Sequence, residues 1–103
     1  MLVSTRGTES LKDIAITKAF MSAAGINERL GVTCINSYEV PYKKMVMVRA
    51  LEKYLVVDSS KFGVIKMYSV AGLKEFDAVI TDKNLPEKWM KYIKDLGVKL
   101  YLC

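Results

Sequence analysis

Two short apolar runs constrain this chain more than anything else in it: 54–58 (YLVVD) and 77–82 (DAVITD). Both are nearly continuous in apolar residues and both close on an aspartate. A strand with one wet face alternates polar and apolar. A run without alternation suits a strand covered on both faces, as in a parallel sheet. Two further β-rich runs, 17–23 (TKAFMSA) and 98–103 (VKLYLC), flank them. Between the runs the period becomes helical. Val40, Met47, Val48 and Leu51 are spaced for one face of a helix over 38–53, with Pro41 tolerable only in its first turn. The segment 86–96 carries Pro86 near its start, Trp89, Ile93 and Leu96 on one side, and Gly97 as its stop. Shorter helical pieces are expected at 71–75 and 8–14.

Strands that alternate with helices imply right-handed βαβ crossovers. The expected fold is therefore α/β, a parallel sheet of about four strands with flanking helices. Its order is β(17–23), α(38–53), β(54–58), α(71–75), β(77–82), α(86–96), β(98–103). No repeat or linker divides the 103 residues, so one domain spans 1–103. The run at 17–23 becomes an edge strand, which leaves the backbone of Phe20 and Met21 unpaired on one side.

Composition narrows the chemistry. Apolar residues make up 51% and charged residues 26%, a globular balance. No apolar run approaches the ~20 residues that span a bilayer, so no membrane association is expected and the chain reads as cytoplasmic. There is no histidine, which excludes histidine-based triads and the usual imidazole base. The two cysteines, Cys34 and Cys103, cannot complete a tetrahedral metal shell and are expected to be reduced. No metal or cofactor is expected. The net charge of +5 comes from dispersed lysines, which read as wet helix faces and not as a nucleic-acid surface.

Ligands of open parallel sheets bind beyond the carboxyl ends of the strands. Three loops fall there: one containing Gly25, one running from Asp58 through Ser59, Ser60 and Lys61 to Gly63, and one beginning at Asp82. The serines offer hydroxyls, Lys61 a point charge, and Asp58 an acceptor for sugar hydroxyls, a set that suits a small phosphorylated polyol. The same residues also make an ordinary strand-to-loop turn. Lys43 stands four residues after Glu39, as in an exposed helical ion pair or as a cation leaning over the rim. Asp82 reads by position as an N-cap for the helix near Pro86 before it reads as a ligand contact.

Taken in order, the segments KAFMSAAGINERLGVT, YEVPYKKMVMVRALEKYLVVDSSKFG and LKEFDAVITDKNLP resemble the C-terminal effector-sensing domain of DeoR-type bacterial transcription repressors. The resemblance runs from about Lys18 to the C-terminus. It implies a Rossmann-like fold similar to ribose-5-phosphate isomerases and a role in sensing phosphorylated sugars or sugar alcohols, a hexitol such as galactitol among them. The family's helix lysine falls on Lys43, with its acidic neighbour on Glu39. Its Asp and Lys after the next strand fall on Asp58 and Lys61, and its Thr-Asp pair on Thr81 and Asp82. The expected ligand contacts are Gly25, Lys43, Asp58, Ser59, Ser60, Lys61 and Asp82. Pro41 stands where the family commonly has an acidic residue.

The helix-turn-helix of complete members and the Asp-x-Gly-Ser/Thr-Thr loop of the sensor's first half have no counterpart here. The resemblance thus implies a partial sensor domain lacking its N-terminal half, with DNA contact left to a domain outside this sequence and with self-association. Two other expectations stand beside it: an isomerase-like enzyme using Asp58 and Lys61, and a folded remnant without activity. The repressor match favours the sensor over the enzyme.

Overall fold

The computed structural model describes residues 16–103. The helix expected at 8–14 lies outside them. Four strands, β1 (Ile16–Met21), β4 (Ala50–Val56), β6 (Ala78–Thr81) and β7 (Lys99–Leu102), form a wholly parallel sheet in the order β1-β4-β6-β7. This is the expected α/β sheet, and its two central strands are the two apolar runs. A second, antiparallel sheet of three strands is new: β2 (Gly25–Asn27), β3 (Gly31–Cys34) and β5 (Tyr68–Ala71). Two helices complete the fold, α1 (Val40–Arg49) and α2 (Glu87–Asp95).

Several boundaries move for identifiable reasons. The helix expected over 38–53 begins with a 3-10 turn at Ser37–Glu39 and stops at Arg49. Residues 50–53 (Ala-Leu-Glu-Lys) are good helix formers, yet they join β4, where Ala50 and Glu52 pair with Ile16 and Lys18. Asp77 locks the change: its carboxylate accepts from the Lys53 N–H at 2.7 Å and its own N–H donates back to the Lys53 carbonyl at 2.8 Å. Tertiary pairing overrides local propensity here. The buried stripe of α1 is accordingly Tyr42, Lys43, Val46 and Met47, while Val48 and Leu51 are 80% and 78% exposed, against expectation. The helix expected at 71–75 is a single 3-10 turn, Leu73–Glu75, following the last residue of β5. The α2 segment keeps its expected inner face, with Trp89 and Ile93 buried and Leu96 partly so.

The chain steps in one direction across the sheet, from β1 to β4 to β6 to β7. Right-handed crossovers that always step the same way all lie on one face, and one face receives the cover. Met21, Leu55 and Val79 from that face pack with Ile26 and Val32 of the small sheet, Val46 and Met47 of α1, and Trp89 and Ile93 of α2. On the opposite face Phe20 stacks on Tyr54 at 5.1 Å, and Phe20, Val56 and Tyr101 are exposed. Among the described residues β1 has one ladder neighbour, so it is the edge strand expected of it.

Candidate functional site

The site is built from chain that leaves the strands at their carboxyl ends. Beyond β1, residues Ser22, Ala23 and Ala24 form one wall of a cavity of about 280 Å³. Cys34, Ile35 and Asn36, where β3 ends, form a second wall. Glu39 and Lys43 from the start of α1 and Lys61 from beyond β4 complete it.

Lys43 sits on the inward face of α1 because the buried stripe of that helix includes it, between Tyr42 and Val46. The residue is only 7% exposed. Its ammonium donates to the Ser22 carbonyl at 3.4 Å and stands 4.0 Å from Glu39 Oε1. Both contacts are long for charge-assisted bonds, which typically measure about 2.7–2.9 Å. Lys43 is thus a buried cation with loose contacts that borders the cavity. The i,i+4 pair with Glu39 is present, but Lys43 is buried and not exposed. Glu39 is itself held by the Asn36 side-chain amide at 3.2 Å. Cys34, 1% exposed, donates its thiol to the Asn36 carbonyl at 3.6 Å, and burial pushes that thiol above its ordinary pKa despite the nearby Lys43. It is a neutral wall residue, and both cysteines are free thiols.

Lys61 reaches the same cavity through a short 3-10 turn, Ser59–Lys61, that opens where β4 ends. Asp58 is its N-cap: Oδ1 accepts from the Ser60 N–H at 3.0 Å and also from the Ser60 hydroxyl. The hydroxyl bond above all holds the Asp58 carboxyl below its usual range. Asp82 accepts from the Ser59 N–H at 2.8 Å and from the Asn84 N–H at 2.9 Å, and these bonds, the Ser59 one first, lower its pKa as well. The N-cap reading of Asp82 is therefore replaced. Helix α2 starts from Pro86 without a side-chain cap, and Asp82 spends its carboxylate on the loop after β4. Asp58 and Asp82 line a neighbouring, mostly apolar recess with Val56, Val57, Ile80, Thr81 and Cys103.

Of the expected contacts, Lys43 and Lys61 share one cavity, Asp58, Ser59, Ser60 and Asp82 form the scaffold beside it, and Gly25 has a packing reason of its own. Gly25 begins β2 one residue past the cavity wall, and a Cβ there would meet the Val64 carbonyl oxygen at 2.3 Å, which no side chain tolerates. The Ser22 carbonyl, Cys34, Ile35 and Asn36 were not foreseen. Their only signal was position after a strand, and β3 was itself unseen. Among the described residues no group of three or more His, Cys, Asp or Glu side chains is placed to hold a metal.

Comparison with known proteins decides the family. The model of the DeoR C-terminal sensor domain matches residues 1–83. The chain belongs to the DeoR C-terminal sensor domain family. Its curated relatives include the deoxyribose operon repressor of Escherichia coli K12, 37% identical over 92 residues that make up 89% of this chain and 36% of that protein. The lactose phosphotransferase system repressor of Staphylococcus epidermidis is 38% identical over 79 residues, 76% of this chain and 31% of its own length. The regulator IolR of Bacillus subtilis is 31% identical over 88 residues, 85% of this chain and 35% of its own. The chain thus spans about a third of the length of these relatives. They are transcriptional regulators, so the DeoR sensor reading stands and the isomerase-like reading does not. No helix among the described residues is long and apolar enough to cross a membrane.

Proposed function

We propose that this sensor domain binds a small phosphorylated sugar or sugar alcohol in the carboxyl-end cavity, and that the occupied cavity is the signal of a sugar-responsive repressor. The observation that carries this is the buried Lys43 ammonium, which borders a cavity shared with Lys61 and has no tight counter-ion. The phosphate meets the two lysines, and the polyol hydroxyls meet the Ser22 carbonyl, Asn36 and Glu39. Ser59, Ser60 and Asp58 shape the rim at Lys61, and Gly25 keeps β2 close beneath it. The relatives named for deoxyribose and lactose operons support sugar as the class. DNA contact belongs to a helix-turn-helix supplied by other parts of a full-length regulator.

The test is a thermal-shift panel of pentose, hexose and hexitol phosphates beside their unphosphorylated parents. A ligand at 100 times its Kd adds about 2.7 kcal/mol of stability. A shift with a phosphorylated member and none with its parent is expected; equal shifts or none reject the reading.

We also propose that the domain pairs with a second copy of itself. Support comes from β1, which has one ladder neighbour among the described residues, and from Phe20, Val56 and Tyr101, which are exposed on one sheet face. Light scattering at micromolar concentration should return a dimer, and a monomer there contradicts it.

A further inference from the structure

The Asp82 carboxylate occupies a place that normally belongs to the backbone. Pairing of β4 with β6 runs to Val56 opposite Ile80, and the Val57 N–H still donates to the Ile80 carbonyl at 3.1 Å. Parallel rungs recur at every second residue, so the next would join the Ser59 N–H to the main-chain carbonyl of Asp82. The Ser59 N–H instead donates to Asp82 Oδ2 at 2.8 Å, while Oδ1 takes the Asn84 N–H at 2.9 Å. One side chain thereby extends the β4–β6 join by a rung and turns the loop beyond β6. Charge-assisted bonds of this kind are roughly twice as strong as neutral ones.

Past Ser59 the chain makes one tight turn. The Lys61 N–H donates to the Asp58 carbonyl at 3.2 Å and the Phe62 N–H to the Ser59 carbonyl at 3.3 Å. On its far side the turn is anchored by the Gly63 N–H on the Ile26 carbonyl at 2.8 Å and by the Phe62 ring against Trp89 at 5.1 Å. Lys61 therefore hangs between a core anchor behind it and the Asp82 anchor ahead of it. Asp82 itself is not on the wall of the cavity that Lys43 and Lys61 share.

We propose that Asp82 is a positioning residue: it fixes the Ser59–Lys61 turn so that the Lys61 ammonium stands on the same cavity as Lys43. The inference rests on the anion-binding reading of that cavity, and it gives Asp82 a supporting role in place of direct ligand contact.

The experiment pairs inorganic phosphate titrations with amide hydrogen exchange on the whole chain. Asp82→Ala should weaken phosphate roughly tenfold, the equivalent of one lost hydrogen bond of about 1.4 kcal/mol. Asp82→Asn, whose amide oxygen still accepts from Ser59, should restore most of that affinity. In the Asp82→Ala background Lys61→Ala should add almost nothing, whereas Lys43→Met should keep its full effect. The amides of Ser59, Lys61 and Phe62 should exchange faster while those of Leu55 and Val79 do not change. Full additivity of Asp82→Ala with Lys61→Ala overturns the proposal, as does an Asn variant as weak as the Ala variant, since both are the behaviour of a direct ligand contact. If the unaltered chain does not bind phosphate, the ligand reading fails on its own and the exchange arm decides Asp82: unchanged protection at 59–62 overturns it. Asp82→Ser, too short to reach Ser59, takes the alanine variant's place if that variant does not fold.

Discussion

Two cavities open at the two ends of one parallel sheet, and each is lined by two lysines with acidic company. The amino-end cavity is the larger, about 380 Å³ against about 280 Å³, and it too holds two lysines, Lys74 and Lys99. There the likeness ends. Lys74, Lys99 and Asp77 are exposed to water, and Glu52 and Asp77 on the same wall match the lysines charge for charge. Both acids have other partners: Asp77 holds the Lys53 N–H, and Glu52 faces Lys18 at 3.9 Å and accepts from the Tyr54 hydroxyl. At the carboxyl end two lysines face one acid, and one of the lysines is buried. Volume alone therefore does not choose between them. What sets the carboxyl end apart is the buried Lys43 ammonium, whose contacts with Glu39 and the Ser22 carbonyl are long, and this supports the anion site proposed there.

The largest expected effect falls on Lys43. Lys43→Met keeps the aliphatic stem and removes the ammonium, and it should weaken a phosphorylated ligand by one contact of about 1.5–3 kcal/mol, roughly 10- to 150-fold. Its melting temperature should change little, because Met keeps the buried stem, both ammonium contacts are long, and Glu39 stays partly exposed with the Asn36 amide as a partner. Calorimetry and a thermal melt check both, and a large loss of stability with unchanged affinity would make Lys43 a structural ion pair.

Lys61→Ala comes next. Lys61 is only half-buried, so the loss should lie at the lower end of that range, about tenfold. Lys74→Ala and Lys99→Ala should leave affinity within about twofold, because exposed charges contribute little. A larger loss from either would transfer the site to the amino end.

The smallest effect is one of pH. Asp58 and Asp82 both titrate below the ordinary carboxylate range in the folded chain, held there by Ser60 and Ser59. A carboxylate whose folded pKa is lowered stabilises the fold above its unfolded pKa and loses that contribution as pH falls through the folded value. Melts taken from neutral pH downward should show the 59–61 loop anchored until pH drops below the ordinary carboxylate range. Loss of loop protection well above that range would contradict the Ser59 and Ser60 bonds.

The two central strands were legible because buried parallel strands leave an unbroken apolar run, and α2 because Pro86, Trp89, Ile93 and Gly97 agree on one helix. The small antiparallel sheet was not legible. Gly25–Asn27 and Gly31–Cys34 are three and four residues long, and β3 is buried throughout, so no alternation marks it. At the site, residue types could be read but not orientation. The spacing of Lys43 from Glu39 fits an exposed ion pair as well as a cation over the rim, and only the packing of α1 against β1 and β5 turns it inward. Asp82 carried a motif's weight without showing whether its oxygens face a ligand or a backbone, and the register of β4 with β6 supplies that answer.

The central claim, that the carboxyl-end cavity receives a phosphorylated polyol, is tested most directly by NMR shift mapping. The isotopically labelled chain would be titrated with whichever sugar or hexitol phosphate gives the largest thermal shift. The account predicts perturbations concentrated at 22–24, 34–43 and 59–61, lost in the Lys43→Met variant, with Lys74, Asp77 and Lys99 silent. Perturbations centred on those last three residues, or an unchanged pattern in Lys43→Met, would contradict it.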